Sequence, residues 1–229
     1  MPKTKKIPNE LNYIEIEDIE LKIARSNSVK YIGLILDEKL SFNEHVSALI
    51  KSVTRFFGIF KNVKENISFK LARQLYFSFI YSRLNYGIEV YGNCSNTLLN
   101  KLQVVQNRLL KFLFGKHYLT NTNELHNEIN ILKLSDLRKL SITKIVHDCL
   151  NDKLPTSFNN YFKYKSGRTT RQSCDLDPPF SRLAIGQSRV AYTGCQIWNT
   201  IDHSISSLPN KKHFQKTLTK HYISQYALN

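Results

Sequence analysis

Between Tyr13 and Ile23 apolar and acidic residues alternate, as Ile14-Glu15-Ile16-Glu17 and then Ile19-Glu20-Leu21-Lys22-Ile23. A period of two predicts a β-hairpin with one wet face, turning at Glu17-Asp18. Val29–Leu36 is more apolar and predicts a third strand, with Gly33 marking a bulge or a close backbone approach. From Ser41 the period becomes helical. Ser41-Phe42-Asn43-Glu44 has the form of a capping box, and Val46, Leu49, Ile50, Val53, Phe57 and Phe60 follow at helical spacing. Ser68 opens a second helix, carrying Leu71, Leu75, Phe79 and Ile80, that ends near Leu84 before Asn85-Tyr86-Gly87. Ser95 opens a third, with Leu98, Leu102, Val105, Leu109 and Leu113, closed by Gly115. Asn123–Asn130 predicts a short helix, and Ser135 is placed to cap another running to Asn151.

Beyond Pro155 the texture changes. Residues 164–188 are rich in Ser, Thr, Arg, Gly and Pro and predict a linker. Arg189–Trp198 is strand-like. His213–Tyr226 predicts a last amphipathic helix, with Phe214, Leu218 and Tyr222 inward and Lys212, Lys216 and Lys220 outward. The fold class is therefore mainly α with a small β part (α+β). An N-terminal hairpin and strand (1–40) precede a helical bundle (41–163), and a linker leads to a small C-terminal module with short strands and a terminal helix (164–229).

Charge narrows the choice of partner. Thirty-three Lys and Arg against 18 Asp and Glu leave +15, with a pI near 9.6. Residues 1–40 hold seven basic and seven acidic side chains, whereas 41–120 hold eleven and three. A large local excess points to an anionic polymer or surface rather than a small ligand. Cys94, Cys149, Cys174 and Cys195 form no C-x-x-C pair and no signal peptide precedes them, which predicts reduced thiols and an intracellular setting, nucleus or cytoplasm. No run of about 20 uncharged residues is present to span a bilayer, so no membrane partner is expected.

A catalytic constellation is not evident. Two-metal phosphoryl chemistry needs clustered carboxylates, but no Asp-Asp pair occurs, and Glu15, Glu17, Asp18 and Glu20 read as a solvated strand face. Cys174, Cys195, His203 and His213 match no structural zinc spacing, and neither G-x-S-x-G nor a Gly-rich phosphate loop is present. No small-molecule substrate is expected. Basic stripes are the better candidates: Lys101, Arg108 and Lys111 on the third helix with Lys116 beyond it, Lys51 and Arg55 on the first, and Lys212 and Lys216 on the last. Such rows can track phosphates, or serve only as solvated faces. Tyr31 with Gly33 is an aromatic placed to lie against a nucleotide or sugar.

Four stretches together resemble the reverse transcriptases of non-LTR (LINE-type, jockey-like) retrotransposons. They are Val29–Asp37 (VKYIGLILD), Leu84–Gly92 (LNYGIEVYG), Leu102–Arg108 (LQVVQNR) and Gly194–Asn199 (GCQIWN). The resemblance implies that the Tyr31-x-Gly33 segment corresponds to the primer-grip hairpin and that the following helices form the thumb holding the template–primer duplex. It further implies that the metal-binding aspartates lie upstream in a palm, so no cofactor is expected on this chain and divalent metal only in that palm. Implied partners are RNA, RNA–DNA or DNA duplex, and the upstream palm. The chain departs from the family at Tyr91, where Trp is frequent, and at Thr200-Ile201, where Leu-Pro is frequent, and it lacks the cysteine–histidine knuckle of some relatives. The alternative is a non-catalytic structural or protein-interaction helical domain derived from a decayed element.

Overall fold

The computed structural model describes residues 13–16, 21–24, 26–62, 67–158, 160–165 and 175–227. Strands β1 (Tyr13–Ile16) and β2 (Leu21–Ala24) pair antiparallel, Tyr13 opposite Ala24, as their alternation predicts. The turn assigned to Glu17-Asp18 lies outside the described residues.

Val29–Leu36 is not one strand but two. β3 (Ser28–Tyr31) folds back on β4 (Leu34–Asp37) through Ile32-Gly33, with Tyr31 opposite Leu34. Both turn residues have positive φ, 45° and 81°, the geometry that matches a two-residue turn to the twist of its strands. The glycine is thus the turn itself rather than a bulge.

α1 (Asn43–Lys61) starts differently from the capping box expected at Ser41. Phe42 sits in the left-handed region with no side-chain cap, and the Asp37 carboxylate takes over. It accepts from the amides of Lys39 (3.1 Å), Ser41 (2.9 Å) and Phe42 (2.7 Å) and from the Ser41 hydroxyl (3.1 Å). These donors, the Ser41 amide foremost, hold Asp37 below its ordinary pKa.

α2 (Phe69–Leu75) begins at Ser68, whose hydroxyl accepts from Leu71, as read from the sequence. It runs through a π-helical turn (Tyr76–Tyr81) into α3 (Ser82–Asn85), and α4 (Ile88–Tyr91) follows. α5 (Asn96–Leu113) is capped by Ser95 and ends in a Schellman arrangement, with Gly115 at φ 62° and the Lys116 amide donating to the Lys111 carbonyl at 2.8 Å. After α6 (Thr122–Ile129) comes α7 (Leu134–Leu150). Ser135 does not cap it. The Lys133 and Leu134 amides donate instead to Tyr226 Oη (3.1 Å) and Gln103 Oε1 (2.7 Å).

α8 (Ala184–Gln187) precedes α9 (Val190–Trp198), which corrects the strand expected over Arg189–Trp198. Ala191, Gly194, Cys195 and Trp198 are its buried positions, a spacing of three and four that only a helix turns to one side. α10 (His203–Ser206) and α11 (Lys211–Ser224) follow, then a 3-10 turn (Gln225–Ala227), and α11 buries Phe214, Leu218 and Tyr222 as predicted. The architecture is mainly helical with a minor antiparallel β part. α1 packs on α5, and α7 packs on α4, α9 and α11. One hydrophobic cluster runs from Phe42 through Tyr76, Leu109 and Val146 to Trp198 and Tyr226.

Candidate nucleic-acid interface

The β3–β4 turn is held by the segment between α3 and α4. Tyr86 Oη donates to the Ile32 carbonyl, and a Cβ at Gly33 would stand 3.2 Å from the Tyr86 ring. Reciprocally, Gly87 has φ 67°, and a Cβ there would stand 2.9 Å from Leu34 Cδ2. Each glycine therefore makes room for the large side chain of the other segment. Tyr31 is left 62% exposed at the mouth of a cleft of about 680 Å³. Leu36, Tyr86, Val90 and Glu89 line one part of that cleft, and Lys144, Ile145, Lys211 and Asp148 another, with Lys211 ion-paired to Asp148.

Lys144 also lines a second cleft of about 430 Å³, so the two adjoin. Arg73 from α2, Lys144 from α7, and Lys212, Lys216 and Lys220 from α11 surround it, and no carboxylate does. The three α11 lysines are spaced by four, about 6 Å of rise per step. Among the described residues Lys144, Lys212, Lys216 and Lys220 have no ion-pair partner. Arg73 is fixed by the carbonyls of Ile129 (3.3 Å) and Asn130 (3.4 Å), with its guanidinium 4.8 Å from the Phe77 ring centre. Phe77 and Tyr81, both in the π-helical turn, supply aromatic surface. Through Arg73 the cleft continues to Lys70 and Gln74.

The positions singled out in the sequence thus fall into separate groups. Tyr31 lines one cleft, and Lys212 and Lys216 line the next, with Lys144 common to both. Arg108, Lys111 and Lys116 line a different one, with Phe57, Val104 and Tyr118. Lys116 is ion-paired with Glu128 at 2.5 Å, and Lys111 Nζ donates to the Tyr118 carbonyl at 2.6 Å. Lys51, Arg55 and Lys101 are exposed on α1 and α5 outside these clefts. The sequence reading missed Arg73 and Lys144. Lys144 is a lone cation among Ile142, Ile145 and Val146, and only its meeting with α11 makes it part of a basic surface.

The buried residues of the two remaining motif stretches are framework. Gln106 is buried and donates to Tyr76 Oη (2.8 Å) and the Leu132 carbonyl (3.1 Å) while accepting from Gln103 (2.8 Å). Gln103 also donates to Asn107 Oδ1 at 2.7 Å. Asn199 forms a paired contact with the Leu176 backbone, accepting from its amide (2.8 Å) and donating to its carbonyl (2.9 Å). A Cβ at Gly194 would stand 2.9 Å from Phe162, so α9 needs a glycine there. Burial pushes the Cys195 thiol up to about 11, which leaves it inert as a nucleophile at neutral pH. Cys174 lies outside the described residues.

Among the described residues no group of three or more His, Cys, Asp or Glu side chains is placed to hold a metal ion. Among them, too, no helix is long and apolar enough to cross a membrane.

No protein-family model and no solved structure matches the chain. Curated relatives do. The RNA-directed DNA polymerase of mobile element jockey from Drosophila funebris is 27% identical over 133 residues, 56% of this chain and 14% of the relative. The probable RNA-directed DNA polymerase of transposon X-element from Drosophila melanogaster is 23% identical over 129 residues, covering 54% and 14%. That of mobile element jockey from Drosophila melanogaster is 27% identical over 118 residues, covering 50% and 13%. The aligned stretch is thus a small part of each relative. Over about half of its own length, the chain is related to the RNA-directed DNA polymerases of jockey-like and other non-LTR retrotransposons.

Proposed function

We propose that the chain is the thumb-like part of an RNA-directed DNA polymerase and grips an RNA–DNA or other primer–template duplex, while the metal-binding carboxylates are supplied by an upstream palm. One observation carries this reading: cations from α2, α7 and α11 converge on a cleft without a carboxylate, and Lys144 joins it to the cleft of the exposed Tyr31 turn. Lysine and arginine on phosphates fix position and carry little sequence information, so binding is indifferent to sequence. The A-like form of an RNA-containing duplex is recognised through its backbone and its shape. Tyr31 at the mouth is placed to meet a terminal nucleotide or its sugar.

The test is fluorescence anisotropy of an RNA–DNA hybrid at increasing salt. Arg73, Lys144, Lys212, Lys216 and Lys220 on five phosphates give a slope of log affinity against log salt of about −4.5. That is roughly a 500-fold loss between about 50 and about 200 mM salt. Lys144→Ala with Lys216→Ala removes two contacts and brings the slope to about −2.7, whereas Lys51→Ala with Arg55→Ala leaves it unchanged. An affinity independent of salt, or one that the Lys51 and Arg55 changes weaken as much, overturns the proposal.

A second reading, a helical protein-interaction domain, is favoured by the exposed Phe180 and Leu183 ahead of α8 and Ile185 within it. It predicts self-association or partner capture that nucleic acid does not alter, read by light scattering with and without the hybrid.

A further inference from the structure

The cleft holding Arg108 is built differently from the basic groove. It measures about 580 Å³, within the roughly 300–1,000 Å³ range of sites for nucleotide-sized molecules. Phe57 and Phe112 meet edge to face with ring centres 5.4 Å apart and line it together with Val104. Tyr118 lines another side and is 74% exposed. The Schellman turn after α5 fixes where its loop leaves the helix, and Lys111 Nζ tethers its carbonyl. The Tyr118 ring packs against His117, centres 4.4 Å apart, and its remaining surface is held open to solvent on an anchored loop.

Asn107 ties the same cleft to the framework behind it. The Leu134 amide donates to Gln103 Oε1, which makes Gln103 Nε2 the donor to Asn107 Oδ1. The same carboxamide lies 2.9 Å from His126 Nε2, and because His126 Nδ1 donates to the Ile131 carbonyl, Asn107 is engaged by the framework on two sides. Arg108 has no ion-pair partner among the described residues. Lys116 is present but neutralised by Glu128.

We propose that this cleft captures an unpaired nucleotide of a single-stranded nucleic acid. The base lies on the Tyr118 ring, and the neighbouring phosphate meets Arg108. Within a duplex the base faces are hidden in the stack, whereas single strands are held by this pairing of aromatic faces with backbone cations. The apolar lining disfavours a ligand recognised through phosphate alone. Because the site and the basic groove have no lining residue in common, either reading can fail without the other.

The experiment compares a short fluorescent single strand with a blunt duplex of the same sequence, each in ribo and deoxyribo form, on the full chain. Tyr118→Ala should weaken single-strand binding about tenfold, with duplex binding unchanged within about twofold. Tyr118→Phe keeps the ring face and should retain affinity. Arg108→Gln, at an exposed side chain, gives an independent readout if Tyr118→Ala alters folding, and should weaken the single strand while flattening its salt slope by about one contact. Glu128→Gln frees Lys116 and should strengthen binding about threefold. Loss confined to the ribo or the deoxyribo strand supports the site and names its sugar. Equal losses for single strand and duplex, no loss in either, failure of Tyr118→Phe, or equally effective competition by polyglutamate would each overturn the proposal.

Discussion

Replacing Gln106 by leucine keeps the volume of a buried side chain but removes every polar contact it makes. Gln106 is 1% exposed, and Tyr76, whose hydroxyl it serves, is 0% exposed. Water has no access to that hydroxyl, so Gln106→Leu strands both Tyr76 Oη and the Leu132 carbonyl. Each stranded buried group costs about 1–3 kcal/mol, so a total near 3 kcal/mol is expected. For a chain of this size that lowers the melting temperature by roughly 6–12 °C. Tyr76→Phe alone removes one hydrogen bond and leaves Gln106 Nε2 its bond to Leu132, so it costs about 1 kcal/mol. In the double variant the hydroxyl that leucine would strand is already gone. The two losses should therefore fall short of additivity by about 1–2 kcal/mol, measured by urea unfolding of all four proteins. Additivity within about 0.5 kcal/mol would refute the assignment of Gln106 as the partner of Tyr76.

Gly33→Ala places a methyl group in a left-handed turn against the Tyr86 ring, at a backbone cost of about 1–2 kcal/mol. Because the hairpin lies at the edge of the fold, the loss should appear first as faster hydrogen exchange at Tyr31 and Leu34 than at the α7 core; unchanged exchange would contradict the packing described. Asp37 has its pKa depressed on folding, so its contribution to stability is complete above the usual carboxylate range and is lost as pH falls below it. The stability gap between the native chain and Asp37→Asn, followed by urea unfolding, should accordingly narrow on acidification, and a gap that widens would count against Asp37 as the organiser of the α1 start.

How much of this was legible in the sequence depended on how local the determinant is. Ser68 and Ser95 cap their helices through residues three positions away, and both were readable. The starts of α1 and α7 were misread because their donors are met from elsewhere: by Asp37 ahead of α1, and by Gln103 and Tyr226 for α7. α9 was misread because Val190, Tyr192, Thr193 and Ile197 favour strands residue by residue, while burial of Ala191, Gly194, Cys195 and Trp198 against the core decides for helix. The basic groove was half legible. Lys212 and Lys216 announce themselves by their spacing, but Arg73 and Lys144 join them only after three helices have packed.

The interlock of Gly33 with Tyr86, and of Gly87 with Leu34, has a consequence for how such chains diverge. Two short segments more than fifty positions apart form a lock and key in both directions, so neither can drift by itself. A lineage that enlarges residue 33 must shrink or tilt the ring at 86, and one that enlarges residue 87 must trim the side chain at 34. Variation at these four positions should therefore be inherited as linked pairs.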